Sequence, residues 1–282
     1  MEPLIPAFGG ARLTTVIDGS GASGVPRLAE YWRYRTLFVF LTVRDIRLRY
    51  RQTWRGVCWA LIQPVLPMLV LAAIFARVLR PELREGPYWL YVLAGFAPWN
   101  FFANAVNYAS VTFVGSFNLL NKVYFPRAIL PLAAVSACLI DLLMSIVFLA
   151  GVSWWEGYHP SWRLILIPLV MLEAYVAAIA VGLAAASLTV LYRDLKPLIP
   201  FLVQVWMYST PVFYPLKMIP DRWRWIAWFN PLTGVLEIFR FCLFGSAVDW
   251  TSAGISALAI GALGLGAMLV YGKVEADLAE RV

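Results

Sequence analysis

The chain has 282 residues, of which 61% are apolar and only 14% charged, and its formal net charge is +7. Because a soluble fold cannot bury so large an apolar fraction, this composition predicts an integral membrane protein. The basic residues cluster beside apolar segments, where anionic lipid headgroups are the expected partners, and this argues against nucleic acid as a ligand.

The N-terminal region divides into two parts. Residues 1–27 are rich in Gly, Ser and Thr without a helical period, which predicts a flexible cytoplasmic tail. Residues 28–56 follow a helical period, with apolar side chains on one face and arginines on the opposite face. The apolar positions are Val39, Val43, Ile46 and Tyr50, and the basic positions are Arg44, Arg47, Arg51 and Arg55. We expect an amphipathic helix in the membrane interface, which either anchors to anionic lipid alone or also presents a surface to a partner.

Six apolar segments of membrane-spanning length follow. We predict spans at residues 57–79, 88–113, 128–155, 164–192, 198–214 and 253–271. Arginines directly before the first span favour a cytoplasmic N-terminus, and six crossings return the tail at 273–282 to the cytoplasm. The predicted fold is therefore an all-α integral membrane protein with one transmembrane domain, residues 57–272.

Two features of these segments concern packing. In the fourth span, small residues recur every four positions, which predicts a close contact with another helix. They are Ala174, Ala178, Gly182 and Ala186. Between spans five and six, charged residues interrupt the apolar pattern, so we predict two short outer helices within about 218–244. The break is expected at Asn230-Pro231, because a residue before proline disfavours helix.

The sequence contains few of the known catalytic or metal-binding motifs. The sequence has no GxxxxGK[ST] motif, and its single histidine excludes HExxH and His/Cys metal clusters. We therefore expect no enzymatic activity and no cofactor in this chain. Two acids, Asp141 and Glu173, lie inside predicted spans, where ionisable groups are costly and often functional. They are either structural hydrogen-bonding groups or members of a proton relay.

Polar and aromatic side chains within spans two and five suggest a substrate path. Three asparagines share one face of span two, and two tryptophans lie too deep for an interfacial aromatic belt. Amides and aromatic rings are suited to bind sugars, so we hypothesise that both spans face a two-fold axis and line a conduit. The alternative is that these side chains pack in the core. The candidate residues are Trp99, Asn100, Asn104, Asn107, Tyr108, Gln204, Trp206 and Tyr208.

Five separate blocks resemble the membrane subunit of ATP-binding cassette (ABC) exporters for lipid-linked polysaccharides such as O-antigen and teichoic acid. The blocks are RYRQTWRGVCWALIQPVLPML, LAGFAPWNFFANAV, NLLNKVYFPRAILPLA, LTVLYRDLKPLIPFLVQVWMYSTPVFYP and RWRWIAWFNPLTGVLEIFR. They occur in the same order as in that family and extend over most of the chain. The resemblance is therefore more specific than any single motif.

The resemblance implies a six-span half-transporter in the bacterial inner membrane that forms a homodimer and moves a lipid-linked polysaccharide. It also implies two copies of a separate ATPase subunit, which bind ATP and Mg²⁺. The N-terminal helix and the connector near 118–127 would meet the ATPase, and the outer helices would form a gate. The implied contact residues are Arg44, Arg47, Arg51, Arg55, Asn118, Asn121 and Lys122.

Other functions fit parts of the sequence. A proton-coupled secondary carrier would use Asp141 and Glu173, but such carriers show internal repeats, and none is convincing here. A membrane transferase would need acids clustered at a membrane face, and the predicted inner loops are short and poor in acids. An ABC exporter of a small amphipathic molecule is a further alternative.

Overall fold

The computed structural model describes residues 28–50, 70, 87–116, 125–158 and 161–280, without the side chains of 28–30 and 276–280. Within these ranges every regular element is helical, which confirms the predicted all-α class. The predicted N-terminal tail and, apart from residue 70, the predicted first span lie outside the described residues.

Ten α-helices and two short 3-10 turns make up the described chain. The helices are α1 (Leu28–Arg33), α2 (Arg35–Tyr50), α3 (Tyr88–Ser110), α4 (Thr112–Gly115), α5 (Ile129–Trp155), α6 (Ile167–Leu191), α7 (Leu195–Ser209), α8 (Asp221–Trp228), α9 (Pro231–Phe244) and α10 (Trp250–Glu280). The 3-10 turns, Trp162–Leu166 and Leu216–Met218, precede α6 and α8.

Three described helical segments are long and apolar enough to cross a membrane: Ile129–Trp155, Trp162–Leu191 and Trp250–Glu275. The α8–α9 pair, bent by 93°, adds a fourth if it forms one broken span. Helix α7, with 15 residues, is about 22 Å long and therefore shorter than a bilayer core of about 30 Å. The membrane architecture is thus confirmed with three to four candidate spans in the described chain, and the count of six remains a prediction.

Helix α3 lies at the centre of the fold and is surrounded by α5, α6, α7 and α9. More than half of its residues are buried, and its close contact with α6 depends on small side chains. A Cβ added to Gly182 would lie 2.9 Å from the Cβ of Ala109. Because protein surrounds most of α3, this helix need not be as apolar as a peripheral span.

The two short helices predicted within about 218–244 correspond to α8 and α9, with the break at the Asn230-Pro231 step, and their outer location remains a prediction. The side chain of Asn230 caps α9 by accepting a hydrogen bond from the backbone N–H of Leu232 at 3.1 Å, and its Nδ2 donates to Thr210 Oγ1 at 2.8 Å. Most of α9 is buried against α3, α6 and α10, whereas α8 exposes Trp223 and Trp225. Helix α9 is therefore part of the core, and a gating function for the pair remains a prediction.

A buried arginine holds the non-helical turn that follows α7. Arg240 on α9 donates from Nη1 to the carbonyl of Pro211 at 2.9 Å and from Nη2 to that of Val212 at 2.6 Å. Its Nη1 also donates to Tyr91 Oη at 2.8 Å, and its Cζ lies 3.7 Å from the centre of the Tyr91 ring. Because buried carbonyls need hydrogen-bond partners, Arg240 allows α7 to end inside the fold.

Gly95 leaves the space that the Arg240 guanidinium fills. A Cβ at this position would collide with Arg240 Nη2 and lie 2.9 Å from the carbonyl oxygen of Val212. We expect Gly95→Ala to lower the free energy of unfolding by about 1–3 kcal/mol, the usual effect of overpacking. Thermal unfolding of the purified protein in detergent measures it.

Gly151→Ala is the matched control, because Gly151 also lies in a helix and a Cβ there meets no described atom within 4 Å. Replacing glycine by alanine in a helix is otherwise stabilising by about 0.5–1 kcal/mol, so this variant should not lose stability. Equal unfolding temperatures for the two variants would show that Arg240 moves aside freely.

Candidate functional site

A polar cluster joins α2 to the middle of α5. Asp141 lies 12 residues after Ile129, the first residue of α5, and therefore about 18 Å along the helix. Its Oδ2 is 3.2 Å from Arg49 Nη1, and its Oδ1 accepts a hydrogen bond from the hydroxyl of Tyr50. Both partners of this intramembrane acid thus come from the C-terminal end of α2.

Arg49 makes two further contacts. Its Nη2 is 3.1 Å from Cys138 Sγ, and its Cζ lies 3.8 Å from the centre of the Tyr108 ring on α3. The Arg49 and Asp141 side chains are only 15% and 22% exposed, so water screens this ion pair much less than a surface pair. We call Arg49, Tyr50, Tyr108, Cys138 and Asp141 the Arg49 cluster. It connects α2, α3 and α5.

Sequence periodicity did not single out Arg49. The predicted arginine face consists of Arg44, Arg47, Arg51 and Arg55. Arg49 lies five residues after Arg44, about 140° away around the helix. In the structure, Arg44 pairs with its neighbour Asp45 at 2.8 Å, and Arg47 is exposed. Asp141 in a predicted span was the available signal, because a buried carboxylate requires a partner. Helical periodicity alone could not identify Arg49 as the partner of Asp141.

The side of α2 that packs against the core also differs from the predicted apolar face. Leu41 is the buried residue of α2, whereas Val39 and Val43, two of the four predicted apolar positions, are exposed. Leu41 belongs to an apolar cluster with Phe113, Phe125 and residues of α5, α6 and α10. Tertiary contacts with α5 determine which side of α2 is buried. The exposed residues of α2 are available to lipid.

The second intramembrane acid has a different environment. Glu173, on α6, is partly buried, and its Oε1 has no hydrogen-bond partner among the described residues. No described hydrogen bond or ion pair joins Glu173 to Asp141. The structure therefore shows no direct proton path between the two acids within its described part.

Two of the predicted path residues attach α7 to α3. Trp99 is 2% exposed, and its ring centre lies 5.6 Å from that of Phe102. The Phe102 ring in turn meets Trp206 of α7 edge-to-face at 5.4 Å. This aromatic row packs the helices together, and for Trp99 it favours the core-packing alternative over a surface that contacts substrate.

The remaining path candidates lie on two different surfaces. Asn104 follows Phe102 by two residues and therefore points about 160° away from it around α3, on the partly exposed stripe with Asn100 and Asn107. Gln204 is exposed on α7 together with Tyr208, which is 56% exposed, while Ile199 and Val203 are the buried residues of α7. Within one chain, the asparagine stripe of α3 and the exposed polar face of α7 therefore do not form one continuous surface.

The predicted ATPase contacts are only partly described. Arg44 and Arg47 belong to α2, and the other predicted contacts lie outside the described residues: Arg51, Arg55, Asn118, Asn121 and Lys122. The end of the connector is described, and there the backbone N–H of Ala128 donates to Tyr271 Oη of α10 at 3.1 Å. The start of α5, the connector and α10 thus meet at one junction, close to α2.

Within the described chain, no group of three or more His, Cys, Asp or Glu residues is placed to hold a metal ion. The arrangement instead offers helices with polar stripes and a charged link between an N-terminal helix and the core. A family model for the ABC-2 type transporter matches residues 36–244. The chain belongs to the ABC-2 type transporter family.

Curated relatives of this ABC-2 transporter carry names that concern polysaccharides. An O-antigen export system permease protein from Myxococcus xanthus is 31% identical over 193 residues, which cover 68% of this chain and 74% of the relative. A second O-antigen export permease, from Klebsiella pneumoniae, is 24% identical and covers 86% of this chain and 94% of the relative. A polysialic acid transport protein from Escherichia coli is 22% identical over 71% of this chain and 78% of the relative.

The environments of the two acids predict different effects of neutralisation. Asp141→Asn leaves the Arg49 charge without its carboxylate, so we expect a loss of roughly 2 kcal/mol in unfolding free energy, between the values for surface and fully buried pairs. Glu173→Gln removes no described partner and should change stability little. Thermal or denaturant unfolding in detergent measures both. An equal loss in the two variants would mean that Glu173 has a partner beyond the described residues.

Proposed function

We propose that this protein is the membrane permease of an ABC exporter that moves a lipid-linked polysaccharide across the bacterial inner membrane. The ABC-2 family match over residues 36–244 is the observation that carries the proposal. The names of the curated relatives, which concern O-antigen export and polysialic acid transport, supply the substrate class. The chain contains no phosphate-binding loop, so the energy comes from another subunit.

The ATPase binds ATP and Mg²⁺ in two copies on the cytoplasmic side. Exposed Arg47 on α2 is a suitable contact, because a guanidinium pairs well with carboxylates of a partner protein. The junction between the connector and α10 supports a docking surface here, since one subunit placed there would contact several elements of the permease at once. Both termini lie on this side of the membrane.

The substrate path lies between two copies of the chain. Helix α7 is attached along one narrow side and exposes Phe201, Gln204 and Tyr208. Sugar C–H faces pack on aromatic rings, and sugar hydroxyls bond to amides, so this face is suited to weak repeated contacts with a sliding glycan. In a two-fold dimer the α7 faces of two chains enclose the path, and the α3 stripe at Asn104 adds a second polar surface.

Reconstitution tests this function. The purified permease, alone and with its ATPase partner, is placed in vesicles that contain lipid-linked polysaccharide, and polymer crossing is measured. We expect crossing only with the partner and hydrolysable ATP, and no effect when a proton gradient is collapsed. ATP-independent movement driven by a proton gradient would support the secondary carrier instead. ATP-driven movement of small amphiphiles without polysaccharide would support the other ABC exporter class.

Cysteine substitution tests the path. A bulky thiol reagent attached to Asn104→Cys or Gln204→Cys should block polysaccharide export, because both positions face the proposed conduit. Val147→Cys on α5 is the matched control, because Val147 is 72% exposed on a candidate span and should face lipid. Its modification should leave export unchanged. Full export after modification at both test positions would place the path elsewhere.

A further inference from the structure

The N-terminal helix α2 is attached to the rest of the protein at two places. The first is the apolar cluster around Leu41, and the second is the Arg49 cluster, eight residues and about 12 Å further along the helix. Helix α5 is its main neighbour, whereas Phe40, on another side of α2, and Leu48, directly before Arg49, are exposed. The position of α2 therefore depends on its contacts with α5.

The two attachments differ physically. Apolar contact is not directional, so the Leu41 cluster tolerates small sliding movements. The Arg49–Asp141 ion pair, with the hydrogen bond from Tyr50, is directional and poorly screened. Its separation would leave a charge without a partner near the middle of a candidate span, which is strongly unfavourable. Thus the polar attachment resists displacement and the apolar one does not.

The polar attachment also reaches the central helix. The Arg49 guanidinium lies 3.8 Å from the centre of the Tyr108 ring. Tyr108 follows Asn107 directly and lies one turn beyond Asn104, so the contact is at the end of the polar stripe of α3. Continuous contact therefore runs from α2 through Arg49 to the surface proposed for the glycan.

We propose that Arg49 and Asp141 are positioning residues that make α2 and α5 move as one body, so that displacement of α2 by the ATPase is carried to the α3 stripe. This inference rests on the proposed function, since it assumes an ATPase that moves α2. Neither residue contacts the polymer. Their contribution is to couple ATP hydrolysis to export.

Four variants of the reconstituted complex test this coupling: Arg49→Gln, Asp141→Asn, the double variant with both changes, and the control Leu48→Ala. The double variant keeps a polar side chain at both positions, with Asn matching Asp in size and Gln shorter than Arg. It leaves no unpaired charge, so it should fold even if the single variants are unstable. Leu48 is the exposed neighbour of Arg49 on α2. ATPase rate, export rate and unfolding temperature are measured for each complex.

We expect the double variant to unfold close to the wild-type temperature and to hydrolyse ATP at a similar rate. Its export per ATP should fall by about tenfold or more, in the usual range of coupling between sites. Leu48→Ala should match the wild type in all three measurements. A coupling defect in a stable complex is an effect that a purely structural role would not produce.

Three results would overturn the inference. Wild-type export per ATP in the double variant would show that the charged link is not needed for coupling. A parallel fall in ATPase and export would place the pair in complex assembly, and a double variant that does not fold would place it in folding. If the wild-type complex itself exports no polysaccharide, the proposed function fails instead, and the two failures are thereby distinguished.

Discussion

Buried polar groups are costly unless they have partners inside the fold, and two arginines show how this protein provides such partners. Arg240 binds the carbonyls of the turn after α7, and Arg49 pairs with Asp141 in the middle of α5. In a low-dielectric interior an unpaired carbonyl or carboxylate is costly, so each arginine allows a feature that an apolar side chain could not support. The first allows a helix to end within the core, and the second allows an acid within a span.

These two arginines lie at opposite ends of the central helix. Arg240 contacts Tyr91 in the first turn of α3, and Arg49 contacts Tyr108 near its end. Both contacts place a guanidinium against a tyrosine ring, a geometry in which Arg combines charge, planarity and several donors. Helix α3 is therefore fixed at one end to α9 and the turn after α7, and at the other to α2 and α5.

This arrangement agrees with the family to which the chain belongs, the ABC-2 type transporters. Helix α7 is attached along one side only, and its short length leaves it dependent on neighbours. Its exposed face is the one that we propose for a path between two chains. The family match and the polysaccharide names of the relatives give this geometry a consistent function. The proposed function requires many weak contacts with a sliding polymer and a mechanical input, and we assign the first to the polar faces and the second to the α2 attachment.

The sequence alone determined the helical class, the membrane environment and the family resemblance, because apolar runs, small-residue spacing and the Asn-Pro step act locally along the chain. It also located Asp141, since a charge in an apolar run is visible without a fold. Only the tertiary structure decided that Arg49 is its partner, that Leu41 rather than Val39 faces the core, and that Trp99 packs against Phe102. These outcomes depend on contacts between residues far apart in sequence, for which helical periodicity carries no information.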